Sequence, residues 1–344
     1  MSMGSDSIRI LSTCPPSNRR DAATYLDEVR AIARMSEAAG HVGILVYTDN
    51  GLVDAWLLSA EIVRATERLS PLVAVQPVYM HPYTVAKMVT SFATFYGRRL
   101  WLNFVAGGFK NDLLALDDRT PHDDRYVRLG EYIGIISALL RNETVTFEGR
   151  YYRVENLRLT PQLDPALFPE LLISGSSAEG LAVAQAANAV AVQYPQPPAQ
   201  YAELAVPDGV RTGIRVGIIA RESGEEAWSI AHERFPPDRR GQMTHQLAMK
   251  TSDSAWHRQL SETAASARER EGGIEPDPYW LVPFENYKTF CPYLVGTHER
   301  VAEEIGRYLR AGARTIILDV PVDGGDLRET GRAIELAIAA QAAS

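Results

Sequence analysis

Short apolar runs alternate along this chain with amphipathic stretches. The apolar runs are predicted to be strands that begin at Ile8, Gly43, Leu72, Leu100, Leu171, Ala189, Ile214 and Thr315. Between them, apolar residues recur at three- and four-residue spacing, which predicts helices over roughly 21–39, 53–67, 84–96, 124–140, 178–187, 224–235, 299–311 and 327–341. Strands that are apolar on both faces are typical of a parallel sheet covered by helices.

Eight such strand–helix units predict a fold class of α/β with a (β/α)8 TIM barrel, rather than an open doubly wound sheet. No GxGxxG follows the first predicted strand, which also disfavours a dinucleotide-binding sheet. The pattern shows no longer internal repeat and no low-complexity linker. We therefore expect residues 1–344 to form a single barrel domain.

Two segments interrupt the regular alternation. Val145–Glu148 and Tyr151–Val154 flank Gly149-Arg150, which predicts a small hairpin before the fifth strand. Residues 239–291 are longer and polar, and 268–273 are highly charged. An insertion after a barrel strand lies at the C-terminal face, where chemistry takes place, so this segment is a candidate lid. A solvent-exposed helical insertion that mediates dimerisation explains the segment equally well.

Composition narrows the class of protein. The chain has 344 residues, of which 46% are hydrophobic and 23% are charged, in the ordinary globular range. Its formal net charge of -8 argues against general nucleic-acid binding. No apolar run approaches the ~20 residues that a membrane span needs, and residues 1–9 lack a secretory pattern, so we expect a cytoplasmic protein. The two cysteines have no metal-binding or disulfide spacing.

The chain lacks the motifs of self-sufficient catalysts. It contains no GxSxG, no HExxH and no phosphate-loop lysine motif, and its seven histidines form no i, i+4 pair. A bound cofactor is the natural alternative. Ser174–Ser177 ends a predicted strand and opens a helix, which suits a phosphate group, although simple N-capping explains it too. Residues 103–108 end another strand with two glycines, which suits either a flat ring or an ordinary turn.

The order and spacing of several segments add a family resemblance. These segments are Pro82–Gly107 with Thr84-Val85-Ala86, Asp124-Arg125-Tyr126, Glu143–Gly149, Ser174–Ser177, Gly213–Arg215 with Glu222 to Trp228, and Leu294-Val295-Gly296. Together, over about residues 8–325, they resemble the bacterial luciferase-like flavin-dependent monooxygenases, nearest the alkanesulfonate monooxygenase branch.

The resemblance implies a barrel that binds reduced FMN at its C-terminal face. Asn103 and Gly107 match positions at the isoalloxazine ring, and Asp112 is a weaker match there. Arg125 and Tyr126 match a pair near the ribityl chain and phosphate. Gly175, Ser176 and Ser177 match the positions that bind the phosphate group. A guanidinium suits a phosphate dianion, although a surface ion pair between Arg125 and Asp123 or Asp124 is the alternative.

The implied reaction is two-component monooxygenation. A separate NAD(P)H-dependent reductase supplies reduced FMN, and O2 adds at flavin C4a to give a peroxide that oxidises a small or medium organic substrate. The protein then excludes water, positions the substrate and stabilises developing charge. Barrels of this family usually pair through helices, so we expect a homodimer or homotetramer.

This chain departs from the sulfonate-cleaving members at four positions. Gly217 stands where they have histidine, Leu52 where they have cysteine, Val320 where they have tyrosine, and Cys14 approximately where they have a first-strand histidine. Such a pocket is less cationic, so a simple alkanesulfonate is not the expected substrate. The candidate catalytic residues are Arg215, for an anionic substrate group or the peroxide, and Cys14.

Each of these roles has an alternative. Arg215 is equally explained as a barrel arginine neutralised by Asp319, and a lone cysteine such as Cys14 is usually a small buried hydrophobe. Candidate pocket aromatics at strand ends, with core packing as the default, are Tyr47, Tyr79, Phe109, Tyr194, Trp280 and Tyr287. An F420-dependent hydride-transfer enzyme and a non-catalytic flavin-binding paralogue are the competing functions.

Overall fold

Strands and helices alternate through the computed structural model, which describes residues 7–107, 109–251, 255–268 and 276–342. The strands are β1 Arg9–Thr13, β2 Gly43–Val46, β3 Ser70–Val75, β4 Trp101–Val105, β5 Val145–Glu148, β6 Arg153–Leu157, β7 Glu170–Ser174, β8 Val190–Gln193, β9 Arg211–Arg221, β10 Tyr279–Trp280, β11 Tyr293–Thr297 and β12 Ala313–Leu318. The eight strands β1–β4, β7–β9 and β12 match the eight predicted from sequence. The predicted (β/α)8 class is confirmed.

The helices that separate these strands are α1 Tyr25–Ala38, α2 Ala55–Ala65, α3 Pro82–Tyr96, α4 Lys110–Ala115, α5 His122–Leu140, α6 Ala178–Ala186, α7 Pro198–Ala202, α8 Gly224–Arg234, α9 Arg239–Thr251, α10 Ala255–Arg268, α11 Val282–Glu285, α12 His298–Arg310 and α13 Gly324–Ala342. All eight predicted helices are present. Among the described residues, no helix combines the length and the apolar character that crossing a membrane requires.

The chain divides into two compact units by its internal contacts. The first, here called the N-terminal unit, comprises Cys14–Ala191 with Pro207–Val210. In it, β2, β3, β4 and β7 pair in parallel and in chain order. Their central side chains are fully buried because helices cover the sheet; Leu72, Leu102 and Leu172 have no exposed surface. The predicted hairpin is present as the antiparallel pair β5–β6, with its second strand beginning two residues later than predicted.

The second, the C-terminal unit, comprises the chain up to Thr13, Val192–Val206 and the residues from Arg211 onwards. Here β9 pairs along its length first with β12 and then with β11. Its residues Thr212–Val216 pair with β12, and Gly217–Arg221 pair with β11. The sequence analysis did not predict β10 or β11, since β10 has only two residues and β11 follows the polar insertion, outside the regular strand–helix alternation. The change of partner between Val216 and Gly217 lies beside the candidate residue Arg215.

The insertion at 239–291 contains α9, α10 and α11. Residues 252–254 and 269–275, which include most of the charged run 268–273, lie outside the described residues. Trp256 of α10 stacks on Tyr194, which directly follows β8, with ring centroids 4.1 Å apart and planes 23° apart. A lid role and a dimerisation role for this insertion remain predictions.

Candidate active site

The ends of β4 and β7 carry the first group of candidate residues in the N-terminal unit. These neighbouring strands pair with Val105 opposite Ser174. Ser174 Oγ donates to Asn103 Oδ1 at 2.9 Å, and Asn103 is 5% exposed. Because Oδ1 is the accepting atom, the Asn103 amide keeps its two N–H donors for another group. The strand pairing therefore places an amide donor at the carboxyl ends of the strands, where barrel enzymes have their active sites.

Two consecutive residues of α5 contact these two strand ends. The Arg125 guanidinium donates to the Gly107 carbonyl oxygen at 3.4 Å, and Arg125 is 1% exposed. Tyr126 lies against Gly175, since a Cβ built at Gly175 would be 2.8 Å from the phenolic oxygen. The structure thus brings Asn103, Gly107, Arg125, Tyr126 and Gly175 into one cluster, here called the flavin cluster.

Gly107 has a backbone conformation that few other residues adopt. Its φ is +128°, and a Cβ there would lie 3.0 Å from Leu113 Cδ1 and 3.5 Å from Arg125 Cδ. Only glycine satisfies both the torsion angle and the close approach without strain. No side chain at Gly107 therefore covers the backbone at the end of β4, as contact with a flat ring requires.

Ser177 begins α6 as its N-cap. Its Oγ accepts from the backbone N–H of Gly180 at 3.2 Å, so the capping alternative of the sequence analysis is observed. Capping does not exclude a second role, because the same hydroxyl retains a proton to donate. Ser176 and Ser177 stand at a helix start, where backbone N–H groups and the helix dipole favour an anion.

The flavin cluster, together with Ser176 and Ser177, which directly follow Gly175, fits a flavin mononucleotide. A fully buried guanidinium, two serines at a helix start and bare glycine backbone provide for a phosphate dianion and a flat ring. Each of these parts is contributed by the N-terminal unit alone. The sequence signal for Arg125 came from the family resemblance, and the structure shows that its side chain is buried and does not lie on the surface.

Asp112 lies on α4 with a different set of contacts. Its backbone carbonyl accepts from the Asn50 side chain at 3.0 Å, and Asn50 in turn accepts from the Tyr79 hydroxyl at 2.7 Å. Burial, and then the nearby Asp49, raise the pKa of the Asp112 carboxyl. These contacts do not include the other candidate cofactor residues, so its predicted role near the ring rests on the resemblance alone.

Cys14 and Leu52 line the same pocket in the N-terminal unit. The pocket is small, and Tyr25, Val46 and Leu58 complete much of its wall. Cys14 and Leu52 are two of the positions where the sulfonate-cleaving relatives are expected to carry polar residues. With a thiol and a leucine at these positions, the lining of their shared pocket contains no cationic side chain to bind a small anion.

Both thiols are inert as bases or nucleophiles in this structure. Burial raises the pKa of Cys14 to about 12 and that of Cys291 to about 12. The thiolate form, which is the reactive one, is therefore disfavoured in both residues. Because the thiol pKa is raised, the role left for Cys14 is to line the pocket or to form a hydrogen bond with Tyr25.

We therefore expect neither native cysteine to react with Ellman's reagent at pH 8 within an hour, whereas both react in 6 M guanidinium. The cause is the combination of burial and a raised thiol pKa. The measurement is absorbance at 412 nm, with Cys14→Ala and Cys291→Ala identifying each thiol. Rapid labelling of Cys14 in the folded protein would contradict the assignment.

Arg215 lies in the C-terminal unit within a cluster of polar groups, here called the arginine cluster. Its NH1 donates to the Tyr194 hydroxyl oxygen at 3.0 Å, and its NH2 is 3.8 Å from Asp319 Oδ1. Tyr293 donates to the other carboxylate oxygen, Asp319 Oδ2, at 2.8 Å. The neighbouring carboxylate that the sequence analysis weighed against an anion-binding role is thus present.

The Tyr293 ring occupies the space that a side chain at position 217 would need. A Cβ built at Gly217 would lie 2.3 Å from the ring, a distance that no packing accommodates. Gly217 and Tyr293 are opposite each other in the β9–β11 pairing. The sequence analysis missed Tyr293, although a glycine within an apolar strand is a signal of close approach by a neighbour.

Comparison with known proteins adds a sequence relationship to this geometry. The profile of the luciferase-like monooxygenase family matches residues 8–315. The chain belongs to this family. A relative from Niallia circulans, named 4-(gamma-L-glutamylamino)butanoyl-[BtrI acyl-carrier protein] monooxygenase BtrO, is 37% identical over 301 residues, which are 86% of each chain. The predicted enzyme class, a flavin-dependent monooxygenase, is confirmed at this level.

Solved structures support the fold. EDTA monooxygenase from Chelativorans sp. BNC1 matches with a TM-score of 0.73 at 15% identity, over 97% of this chain and 94% of that one. The oxygenating constituent of 3,6-diketocamphane monooxygenase from Pseudomonas putida, in complex with FMN, matches at 0.66 and 17%, over 96% of both chains. An F420-dependent secondary alcohol dehydrogenase matches at 0.63 and 15%, over 96% of this chain and 99% of that one.

Proposed function

We propose that this enzyme uses reduced FMN and O2 to oxidise a small or medium organic substrate other than a simple alkanesulfonate. The observation that carries the proposal is the contact of two consecutive residues of α5 with two strand ends, Arg125 with Gly107 and Tyr126 with Gly175. This arrangement places a buried cation beside glycine backbone that no side chain covers, as a flavin with a phosphate group requires.

The chain's own residues have three tasks in this proposal. Arg125, Ser176 and Ser177 hold the phosphate, and Asn103 donates to a polar edge of the ring from its free N–H groups. Gly107 allows the ring to lie close to the end of β4. When bound, the reduced flavin supplies the activation of O2 and the electrons for oxygen transfer. The protein excludes water from this chemistry, a task for which the α9–α10 insertion is the candidate lid.

The substrate class that we propose is an acyl group attached to a carrier protein. The relative from Niallia circulans is named for such a substrate and spans most of this chain. The small pocket lined by Cys14 and Leu52 contains no charged side chain, which is compatible with a neutral acyl group. The partners proposed with it are a separate NAD(P)H-dependent flavin reductase and a second copy of this chain in a homodimer or homotetramer.

The first test is an anaerobic fluorescence titration of the protein with reduced FMN, oxidised FMN and F420. We expect reduced FMN to bind most tightly, and Ser177→Ala to weaken its binding about tenfold through loss of one hydrogen bond to a charged group. Ser223→Ala is the matched control, because Ser223 caps α8 just as Ser177 caps α6, with its Oγ accepting from Glu226 N at 3.1 Å.

The two serine variants separate a ligand contact from a folding effect. Both lose an N-cap, at a cost of about 1 kcal/mol of stability, so their unfolding midpoints should fall alike. Only Ser177→Ala should lose affinity for reduced FMN. Binding of F420 alone would overturn the proposal in favour of a hydride-transfer enzyme. Tight binding of reduced FMN with no O2-dependent turnover of any acyl substrate would favour a non-catalytic paralogue.

A further inference from the structure

The helix α9 presents an apolar and cationic face to solvent. Met243 and Leu247, which are one turn apart, are 65% and 63% exposed, so both leave most of their apolar surface in water. Arg239 and Arg240 are exposed one turn before them, and residues 239, 243 and 247 follow one line along the helix. These four residues are here called the α9 face. An exposed apolar patch with a polar rim is typical of a protein–protein contact site.

The opposite side of α9 attaches it to the C-terminal unit. A Cβ built at Gly241 would lie 2.0 Å from the carbonyl oxygen of Asn286, so the helix backbone packs directly against the chain after α11. His245, one turn along, is 8% exposed and packs edge to face on Phe284, with ring centroids 4.6 Å apart. Both positions are offset by two residues, or about 200° around the helix, from the exposed apolar pair. The α9 face therefore points to solvent because the other side of the helix is fixed.

The positive charge of the α9 face has no counterpart among the described residues. Residues 239–251 contain no aspartate or glutamate, although the whole chain has a formal net charge of -8. Asp238, directly before the helix, pairs instead with Lys288 Nζ at 2.6 Å. Neither Arg239 nor Arg240 forms an ion pair with any residue that the structure describes. The face therefore keeps two uncompensated cations beside its apolar pair.

Helix stability does not account for these two arginines. They occupy the first turn of α9, where the helix dipole favours negative side chains and disfavours positive ones. By contrast, the first turn of α5 contains Asp123 and Asp124, and that of α8 contains Glu225 and Glu226. The two cations therefore destabilise α9 slightly, and no described residue offsets that effect.

We infer that the α9 face is the docking surface for the carrier protein, and that it binds an acidic surface of that carrier around an apolar patch. The inference rests on the proposed function, in which the substrate is an acyl group attached to a carrier. An enzyme with a net charge of -8 repels an acidic protein at long range, so a local cationic face is needed to orient it. A second copy of this chain fits less well, because a twofold interface pairs a face with itself and α9 offers no carboxylate to its own arginines.

The experiment measures the binding of the BtrI acyl-carrier protein, which is named with the relative from Niallia circulans, to the full-length enzyme without flavin. Titration calorimetry at about 50 mM and about 300 mM NaCl gives the dissociation constants. We expect the wild type to bind the carrier and to lose about tenfold in affinity at the higher salt concentration. Arg239→Glu combined with Arg240→Glu should weaken binding at least about tenfold and reduce its dependence on salt.

Met243→Ser combined with Leu247→Ser tests the apolar part of the face. We expect it to weaken carrier binding at least about tenfold, since a few residues at the centre of an interface carry most of its binding free energy. The matched controls are on α13: Arg328→Glu changes an exposed arginine, and Leu336→Ser changes a leucine that is 40% exposed. Both controls should bind the carrier within about twofold of the wild type.

Thermal unfolding separates docking from folding. The glutamate pair on α9 should be at least as stable as the wild type, because it reverses an unfavourable charge at the start of the helix. None of the four α9 residues belongs to the flavin cluster, so the α9 variants should keep the wild-type affinity for reduced FMN. A loss of carrier binding without a loss of stability or of flavin affinity would support the docking surface.

The outcomes separate this inference from the proposed function. Absence of carrier binding by the wild type would overturn the docking surface, and so would equal weakening by the α9 and α13 variants. Sedimentation velocity tests the other occupant, since conversion of an oligomer to monomers by the α9 variants would assign the face to a contact between copies and overturn the inference. Carrier binding that depends on α9, in a protein without O2-dependent turnover, would leave the docking surface standing and refute the monooxygenase proposal.

Discussion

Gly217→Ala should lower the free energy of unfolding by about 3 kcal/mol, the upper part of the range for overpacking a buried site. The added methyl group would lie 2.3 Å from the Tyr293 ring, which is 4% exposed. Neither group has room to move, since Tyr293 also holds Asp319 and pairs with β9 through its backbone. Urea denaturation followed by circular dichroism measures the change.

A double-mutant cycle with Tyr293→Ala identifies the cause. Removal of the ring removes the clash, so adding Gly217→Ala to the Tyr293→Ala variant should cost less than about 1 kcal/mol. Gly130→Ala is the control, because Gly130 lies in α5 with no atom within 4 Å of an added Cβ and should be neutral or slightly stabilising. Equal costs for Gly217→Ala in the presence and absence of Tyr293 would show that the ring does not occupy this space.

Arg125→Met should weaken the binding of reduced FMN by about a hundredfold or more, as expected for loss of a buried charged donor to a phosphate. Methionine keeps the length and the apolar stem of the side chain but removes the charge. Arg125 is among the largest fully buried side chains, and its guanidinium contacts the Gly107 backbone. The anaerobic titration described above measures the affinity, and thermal unfolding without flavin is measured in parallel.

Arg128→Met is the control for this change. Arg128 lies one turn along α5 and pairs with Asp118 at 2.7 Å, where it helps to lower the pKa of that carboxyl. Its loss should reduce stability and leave the affinity for reduced FMN within about twofold, since its charge is already neutralised. A weakening by Arg125→Met no larger than that by Arg128→Met would remove Arg125 from the proposed phosphate site.

The fold was predictable from sequence to the extent that its signals are local. Buried parallel strands are continuously apolar, so the eight main strands and the β5–β6 hairpin were recognised. β10 and β11 were not, because β10 has only two residues and β11 follows the polar insertion, outside the regular strand–helix alternation. Their presence follows from pairing: the second half of β9 extends past β12, and β11 satisfies its backbone hydrogen bonds.

The same difference between local signals and contacts of distant residues applies to the candidate site. The flavin cluster was predicted through family resemblance, and the structure brings five of its residues together, with Ser177 also acting as an N-cap. Tyr293 was not predicted, since its role depends on Gly217, a residue distant in sequence. The setting of Arg215 was left open between two alternatives, and the distance to Asp319 shows that the ion pair is present.

Residue pattern alone was enough to establish the strand–helix alternation and the (β/α)8 class, and the family resemblance pointed to the candidate flavin residues. These features depend on periodicity and on short motifs, which neighbouring residues encode. The tertiary structure decided that Arg215 lies 3.8 Å from Asp319, and it decided what fills the space at Gly217. Both depend on distances between residues that are far apart in the chain. A change of a few ångströms would break the contact between Arg215 and Asp319 or leave room for a Cβ beside the Tyr293 ring.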